Sequence, residues 1–191
     1  MPFIKEILDY GSLSIVGLEK NTGKTECLNY ILGRLPLDKI KVGVSSIGID
    51  GEKTDQVTRS SKPEIFLREG IFFTTSEKHY RQRKILSELV SVSDEHTSLG
   101  RLVTAKAITA GKVMLSGPPV TASLRRWINE SKKDFGIDLC IIDGALSRLS
   151  PASPAVSESM VLATGAALSL TQGDLVNKTL FVVKLLDLGV C

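Results

Sequence analysis

The chain has 191 residues, of which 42% are hydrophobic, 24% are charged and 5% are aromatic. This length and composition are those of one globular domain with a buried core, and they exclude a disordered or low-complexity protein. The formal net charge of +3 is too small to predict nucleic-acid binding without a localised basic patch.

The amino terminus and the cysteines favour a cytoplasmic protein. The start MPFIKEILDY lacks the basic and apolar regions of a signal peptide, and no apolar run reaches the ~18 residues of a membrane span. Cys27, Cys140 and Cys191 lack disulfide or zinc spacing, and we interpret Cys27 and Cys140 as small core residues. We therefore expect a single domain over residues 1–191, in the cytoplasm, with neither a membrane nor a nucleic-acid partner.

Short apolar runs alternate with helical patterns along the chain, which is typical of parallel βαβ units covered on both faces. In the first half, the pattern predicts strands over 12–18, 39–49 and 70–75 and helices over 24–35 and 76–90. Pro36 is expected to end the first of these helices.

In the second half, short apolar runs over 102–107 and 112–116 flank a turn, which predicts an antiparallel hairpin insertion. We interpret Gly117-Pro118-Pro119 as a rigid loop. Helices over 121–135 and 174–188 and strands over 138–143 and 160–164 complete the pattern. The sequence thus predicts an α/β fold with three layers and a mainly parallel sheet.

A phosphate-binding motif lies between the first strand and the first helix. Gly17 ends the apolar run and Gly23-Lys24-Thr25 opens the helix, in the sequence GLEKNTGKT. The N–H groups of such a loop and the positive helix end attract phosphate, the lysine neutralises the β- and γ-phosphates, and the threonine hydroxyl coordinates Mg²⁺. Five residues separate Gly17 from Gly23, so the motif is a variant of the usual four-residue spacing, with Leu18 in the position of the usual first glycine.

We expect a nucleoside triphosphate to contact the whole loop. The candidate nucleotide-binding residues are Gly17, Glu19, Lys20, Asn21, Thr22, Gly23, Lys24, Thr25 and Glu26. Lys24 is also a candidate catalytic residue, because its charge would stabilise the charge that develops on the γ-phosphate. A Gly-Lys-Thr that merely caps a helix is the alternative, and the preceding strand disfavours it.

Two carboxylates are candidates for holding the magnesium ion. Asp143 ends the run LCIID and is followed by Gly144, the pattern of a metal-binding carboxylate at the carboxyl end of a core strand. We predict that Asp143 is catalytic and that it shares the metal with Thr25. Asp50 ends the second strand in the same way and is a further metal candidate, although its segment also fits a surface turn.

The base preference follows from a motif that the chain lacks. Guanine is commonly read by Asn-Lys-x-Asp, and the nearest sequence, at Asn177 and Lys178, has Leu180 in place of the aspartate. We therefore expect ATP, with Mg²⁺, rather than GTP.

The loop resembles those of dethiobiotin-synthetase-like and MobB-like P-loop proteins, and the run IIDGA over 141–145 resembles the acidic-Gly-Ala element of the dethiobiotin synthetase group. The signature lysine of Min-type ATPases is replaced here by Glu19, with Lys20 one residue late. This resemblance implies a P-loop NTPase fold. It also leaves open an ATP-dependent ligase or carboxylase that acts on a small molecule.

A second resemblance covers most of the chain. It rests on Gly23-Lys24-Thr25, Asp143-Gly144-Ala145, Arg148, Ser153-Pro154-Ala155 and the run MVLATGA over 160–166. These residues resemble the small P-loop subunit of the reactivating factor of lysine 5,6-aminomutase and ornithine 4,5-aminomutase.

This second resemblance implies a chaperone-like ATPase that helps to restore an adenosylcobalamin- and pyridoxal-phosphate-dependent aminomutase. Its implied protein partner is a second reactivase subunit or the aminomutase itself, and a homodimer stays open. The residues by themselves predict nucleotide binding and slow ATP hydrolysis. A nucleotide-binding structural subunit without turnover is a further alternative.

Overall fold

The computed structural model describes residues 3–47, 65–145 and 156–186. The helices are α1 Ile4–Ile7, α2 Lys24–Leu32, α3 Glu77–Arg81, α4 Thr121–Phe135 and α5 Gln172–Leu186. The strands are β1 Ser12–Gly17, β2 Val42–Ser46, β3 Ile65–Leu67, β4 Phe72–Ser76, β5 Ser87–Thr97, β6 Gly100–Ala107, β7 Gly111–Val113, β8 Leu139–Ala145 and β9 Ser159–Ala163.

Seven strands form one mixed sheet in the order β5-β6-β4-β2-β8-β1-β9, and β3 pairs with β7 in a small second sheet. The strands β4, β2, β8, β1 and β9, which are neighbours in this order, run parallel to one another. In contrast, β6 is antiparallel to both β4 and β5. The fold is therefore α/β with a mostly parallel mixed sheet, which confirms the prediction at this level. The sheet and the helices together are compatible with a three-layer α/β fold.

The sheet is covered on both faces at β1, β2 and β4, where every residue is buried, without the alternation of a strand that has one face in water. Ile15 of β1 and Ile141 of β8 belong to a core that also contains residues of α1, α2 and the small sheet. Ile142 of β8 points to the opposite face, because successive strand residues alternate, and packs in a second core with Trp127 of α4. Gly136, in the left-handed conformation with φ 65°, ends α4.

The predicted helix over 76–90 is wrong beyond Arg81. The Ser76 side chain accepts a hydrogen bond from the His79 N–H and begins α3, which has only five residues. From Ser87 the chain instead forms β5 and pairs with β6. Backbone pairing with a distant segment here overrides the local helical pattern.

A strand pairing and a helix end also differ from the prediction. The antiparallel insertion exists, but the expected pairing of 102–107 with 112–116 is wrong, because β6 pairs with β5 and β4 while β7 pairs with β3. The helix α2 ends at Leu32, ahead of Pro36, and its last turn is closed at Gly33, whose N–H donates to the Asn29 carbonyl.

The cysteine interpretation is confirmed for the residues that the structure describes. Cys140 is buried, and burial raises the pKa of its thiol to about 12. Cys27 is half-buried, and burial raises the pKa of this thiol as well. Cys191 lies outside the described residues. No helix in the described ranges is both long and apolar enough to cross a membrane.

Candidate functional site

The carboxyl ends of β8 and β1, the fifth and sixth strands in the order of the seven-stranded sheet, lie side by side, with Gly17 opposite Ala145. After β1 the chain passes through α2 to β2, on the far side of β8, whereas β8 leads to β9, on the far side of β1. A reversal of this kind opens a crevice at the carboxyl ends of the two strands, which is where open α/β sheets bind ligands.

The loop between β1 and α2 has a tightly specified backbone. Asn21 and Gly23 are both left-handed, with φ of 61° and 92°. The Thr22 hydroxyl donates to the Glu19 carbonyl at 2.9 Å, and the Leu18 N–H donates to the Ala163 carbonyl of β9 at 3.0 Å. The loop is therefore held both by its own hydrogen bonds and by the neighbouring strand.

Gly17 is required by the way the loop folds back over the end of β1. A Cβ atom at this position would lie 2.6 Å from the Thr22 hydroxyl and 2.7 Å from Cγ of Lys24. Real Cβ atoms essentially never come so close to other heavy atoms, so a side chain here would force the Thr22 and Lys24 side chains, or the loop that carries them, to shift. The absence of a side chain makes this compact turn accessible.

Lys24 is the first residue of α2, and its side chain lies across the adjacent strand ends. Its Nζ donates a hydrogen bond to the Gly144 carbonyl of β8 at 3.0 Å. The ammonium is thus placed next to the residue that follows Asp143, at the positive end of a helix. Thr25, the next residue of α2, is half-buried.

The other predicted loop residues surround this group in different ways. Thr22 is buried within the loop, whereas Glu19, Lys20, Asn21 and Glu26 are exposed. The Glu19 carboxylate accepts a hydrogen bond from the Lys20 N–H at 3.0 Å. These exposed side chains form the rim of the loop.

Asp143 lies within β8 rather than at its end, because Gly144 and Ala145 continue the pairing with β1. It is half-buried and stands in register between Ile15 of β1 and Ser46 of β2. The prediction that the strand ends at Asp143 is therefore wrong by two residues.

The other metal candidate, Asp50, lies outside the described residues, as do Arg148 and Ser153-Pro154-Ala155. Among the residues that the structure describes, no group of three or more His, Cys, Asp or Glu side chains could hold a metal ion.

A cavity of about 420 Å³ lies beside the loop. Its volume falls within the roughly 300–1,000 Å³ of ligand sites. It is lined by Leu18, Leu168, Asn177, Lys178, Phe181 and Val182. The sequence identifies Leu18 only as part of the loop and Asn177 and Lys178 only as an incomplete guanine motif. It gives no sign of Leu168, Phe181 and Val182, since nothing local marks residues so far along the chain as neighbours of Leu18.

The loop at Gly117 packs against the end of the sheet that holds the carboxyl ends of the parallel strands. A Cβ atom on Gly117 would come within 1.7 Å of the Ser46 carbonyl oxygen of β2. The preceding Ser116 carbonyl accepts a hydrogen bond from the Thr74 hydroxyl of β4 at 2.6 Å. This agrees with the interpretation of Gly117-Pro118-Pro119 as a structural loop.

The chain matches no protein-family model, no curated protein and no solved structure. Its candidate site therefore has to be interpreted from its own geometry.

Proposed function

We propose that this chain is a P-loop nucleotide-binding protein that takes ATP as its magnesium complex at residues 17–25. The observation that carries the proposal is the position of Lys24, whose Nζ lies 3.0 Å from the Gly144 carbonyl at the carboxyl ends of two neighbouring parallel strands. A lysine at a helix N-terminus, next to a glycine in the left-handed conformation, is suited to neutralise the negative charge of bound phosphate groups. When a nucleotide binds, the Lys24 ammonium would exchange the neutral Gly144 carbonyl for negatively charged phosphate oxygens, which are stronger hydrogen-bond acceptors.

The residues present fit a nucleotide-bound magnesium ion. The Thr25 hydroxyl and the Asp143 carboxylate are oxygen donors, the type that Mg²⁺ takes. A triphosphate and water would supply the remaining oxygen ligands. Asp50 stays a candidate for the same ion.

The cavity next to Leu18 is the best candidate for the nucleobase. Phe181 offers a ring for stacking, and Asn177 offers an amide that can hydrogen-bond a base edge. Lys178 is engaged with Asp174 at 2.8 Å, and Leu180 stands where the guanine motif would have an aspartate. These features favour adenine.

The biological role that we propose is a regulatory or chaperone-like ATPase with slow hydrolysis. Lys24 would stabilise charge on the γ-phosphate and Asp143 would position the metal. The resemblance to the aminomutase reactivating factor supports a cytoplasmic subunit that acts with a second reactivase subunit or with the aminomutase. Partner capture in the presence and absence of ATP tests this role, and equal capture in both states would contradict a nucleotide-controlled switch.

The central assignment is tested by Lys24→Ala in a calorimetric titration with ATP and Mg²⁺. We expect a loss of affinity of roughly 100-fold, because charge-assisted contacts to two phosphates disappear. Gly17→Ala should weaken binding as well, through the displaced loop. The matched control is Lys133→Ala, an exposed lysine on α4, and circular dichroism checks that each variant is folded. If folded Lys24→Ala binds ATP as tightly as the parent, the proposed site is wrong.

A further inference from the structure

The helix α5 rests on the domain through a narrow stripe. Leu175, Thr179 and Val182 are its half-buried residues, and every other residue of the helix is exposed. Their spacing of four and then three positions places them on one face of the helix. No side chain of α5 is buried. A helix with so few buried apolar contacts opens at low free energy.

Hydroxyl groups join α5 to the residue that follows β9. The Thr179 hydroxyl donates to the Leu175 carbonyl at 2.8 Å, so it can accept from the Thr164 hydroxyl, which lies 3.1 Å away. The Asp174 carboxylate is hydrogen-bonded to Lys178, one turn along the helix, and to Ser169, just before it. These last two bonds stabilise α5 itself and do not fix its position on the sheet.

The segment between β9 and α5 passes the phosphate-binding loop. A Cβ atom on Gly165 would lie 3.6 Å from the Thr22 carbonyl oxygen, an ordinary van der Waals distance, so this segment runs close to the loop backbone. The Leu168 N–H donates to the Gly165 carbonyl at 2.8 Å, which turns the chain, and Leu168 lines the cavity. The loop, this turn and α5 therefore form the walls of one cavity.

The cavity lies along one flank of the stripe. Asn177 and Phe181, which are four positions apart and hence on one face of α5, line it together with Leu18 of the loop. Phe181 is 63% exposed, so most of its surface is in water. A nucleobase in the cavity would contact the loop and α5 together and would bury part of this apolar surface.

We propose that α5 is a clamp that closes on the nucleobase. The inference rests on the proposed function, because it requires the phosphates at residues 17–25 and the base in the cavity. A ligand shifts an equilibrium between two states only by the difference in its affinity for them. ATP binds more tightly when α5 is packed, because the base then contacts both walls, whereas inorganic triphosphate has no group that reaches α5. The helix therefore responds to the nucleotide and not to phosphate alone.

Hydrogen exchange of the full chain tests the clamp, with peptides from the loop and from α5 followed separately. Saturating ATP with Mg²⁺ should slow exchange of the α5 amides about tenfold, because the slowing is limited by the affinity that one stacked base contributes. Inorganic triphosphate with Mg²⁺, at a concentration that protects the loop equally, should leave exchange in α5 unchanged.

Two neighbouring residues of α5 provide a variant and its matched control. Phe181→Ala removes the ring that lines the cavity, and it should abolish the slowing in α5 while saturating ATP still protects the loop. Leu180→Ala removes a side chain that is 47% exposed and does not line the cavity, so it should keep the slowing. Circular dichroism checks that both variants retain their helix content.

The outcomes separate the clamp from the phosphate site. Protection of the loop by ATP without slowing in α5 would overturn the clamp and leave the phosphate site standing. Equal slowing in α5 by ATP and triphosphate, or slowing that survives Phe181→Ala, would overturn it as well. If neither ligand protects the loop, the proposed function itself is wrong and the clamp is wrong with it.

Discussion

The two strands that flank β1 differ in their surroundings, although both run parallel to it. On one side, β8 is buried from Cys140 to Ile142 and its Gly144 carbonyl accepts the Lys24 hydrogen bond. On the other side, every side chain of β9 is half-exposed, and α5 beyond it has no buried side chain among those described. Binding groups held on packed strands are preorganised, whereas weakly packed elements open and rearrange at low energy. The proposed phosphate site therefore lies on the rigid side, and the base cavity lies on the adaptable side.

The largest difference between the two sides is expected in the free energy of unfolding, when one glycine on each side is replaced by alanine. Gly117→Ala would place a Cβ atom 1.7 Å from the Ser46 carbonyl oxygen, and backbone on both sides would have to move. We expect the free energy of unfolding to fall by about 3 kcal/mol or more. Urea unfolding followed by the fluorescence of Trp127, the single tryptophan, which is 8% exposed, measures it.

The control for this comparison is Gly173→Ala on α5, where a Cβ atom would meet no other atom within 4 Å. Removing glycine from a helix should leave stability unchanged or raise it by up to ~1 kcal/mol. Equal destabilisation by the two substitutions would show that the two sides are equally rigid.

Phe181→Ala sharpens the comparison within the proposed nucleotide site. Loss of base stacking should raise the Kd for ATP about tenfold, since stacking on an aromatic ring contributes roughly 1–3 kcal/mol per base. Binding of inorganic triphosphate, which lacks a base, should not change. Leu185→Ala, one turn along α5 and 49% exposed, is the matched control because Leu185 does not line the cavity. A parallel loss for ATP and triphosphate would place the base elsewhere.

The smallest effect is expected at Glu158, which directly precedes β9 and holds the start of this strand in place. Its carboxylate accepts hydrogen bonds from the Lys132 ammonium at 2.9 Å and the Gly11 N–H at 2.7 Å, and these bonds lower its pKa, the lysine bond most. Because the folded pKa is depressed, this stabilisation is present above the ordinary carboxyl pKa of about 4.3 and is lost as the pH falls through the lowered value.

Solvent screens this pair, since the Glu158 side chain is 51% exposed. Glu158→Gln should therefore reduce stability by less than about 1 kcal/mol at neutral pH and by nothing in strong acid. Thermal melts at the two pH values measure the difference, with exposed Glu130→Gln as the control. An unchanged melt at neutral pH would mean that Glu158 does not hold β9.

Much of the sheet and the loop could be predicted because local pattern and global fold agree there. Parallel strand ends meet at one edge, so the proximity of Gly17, Lys24 and Asp143 follows from two apolar runs and the helix between them. The helix predicted from Thr121 to about Phe135 is confirmed, since its polar and apolar residues repeat with helical spacing.

The errors arise where distant segments decide the structure. Residues 82–90 have a helical pattern, yet α3 ends at Arg81 and residues 87–90 belong to β5, which pairs with β6. The cavity brings Leu18 beside Phe181, and neither residue carries a local signal of that contact. Asp50 stays a prediction, because the structure does not describe that segment.

The left-handed backbone at Asn21 has a consequence for sequence variation. Asparagine, aspartate and glycine tolerate φ near 61°, whereas β-branched side chains do not. Any lineage that keeps this loop should therefore exchange position 21 among Asn, Asp and Gly while excluding Val, Ile and Thr, whatever nucleotide it binds. The loop's backbone shape, more than the chemistry of its exposed side chains, would then be what selection preserves at this position.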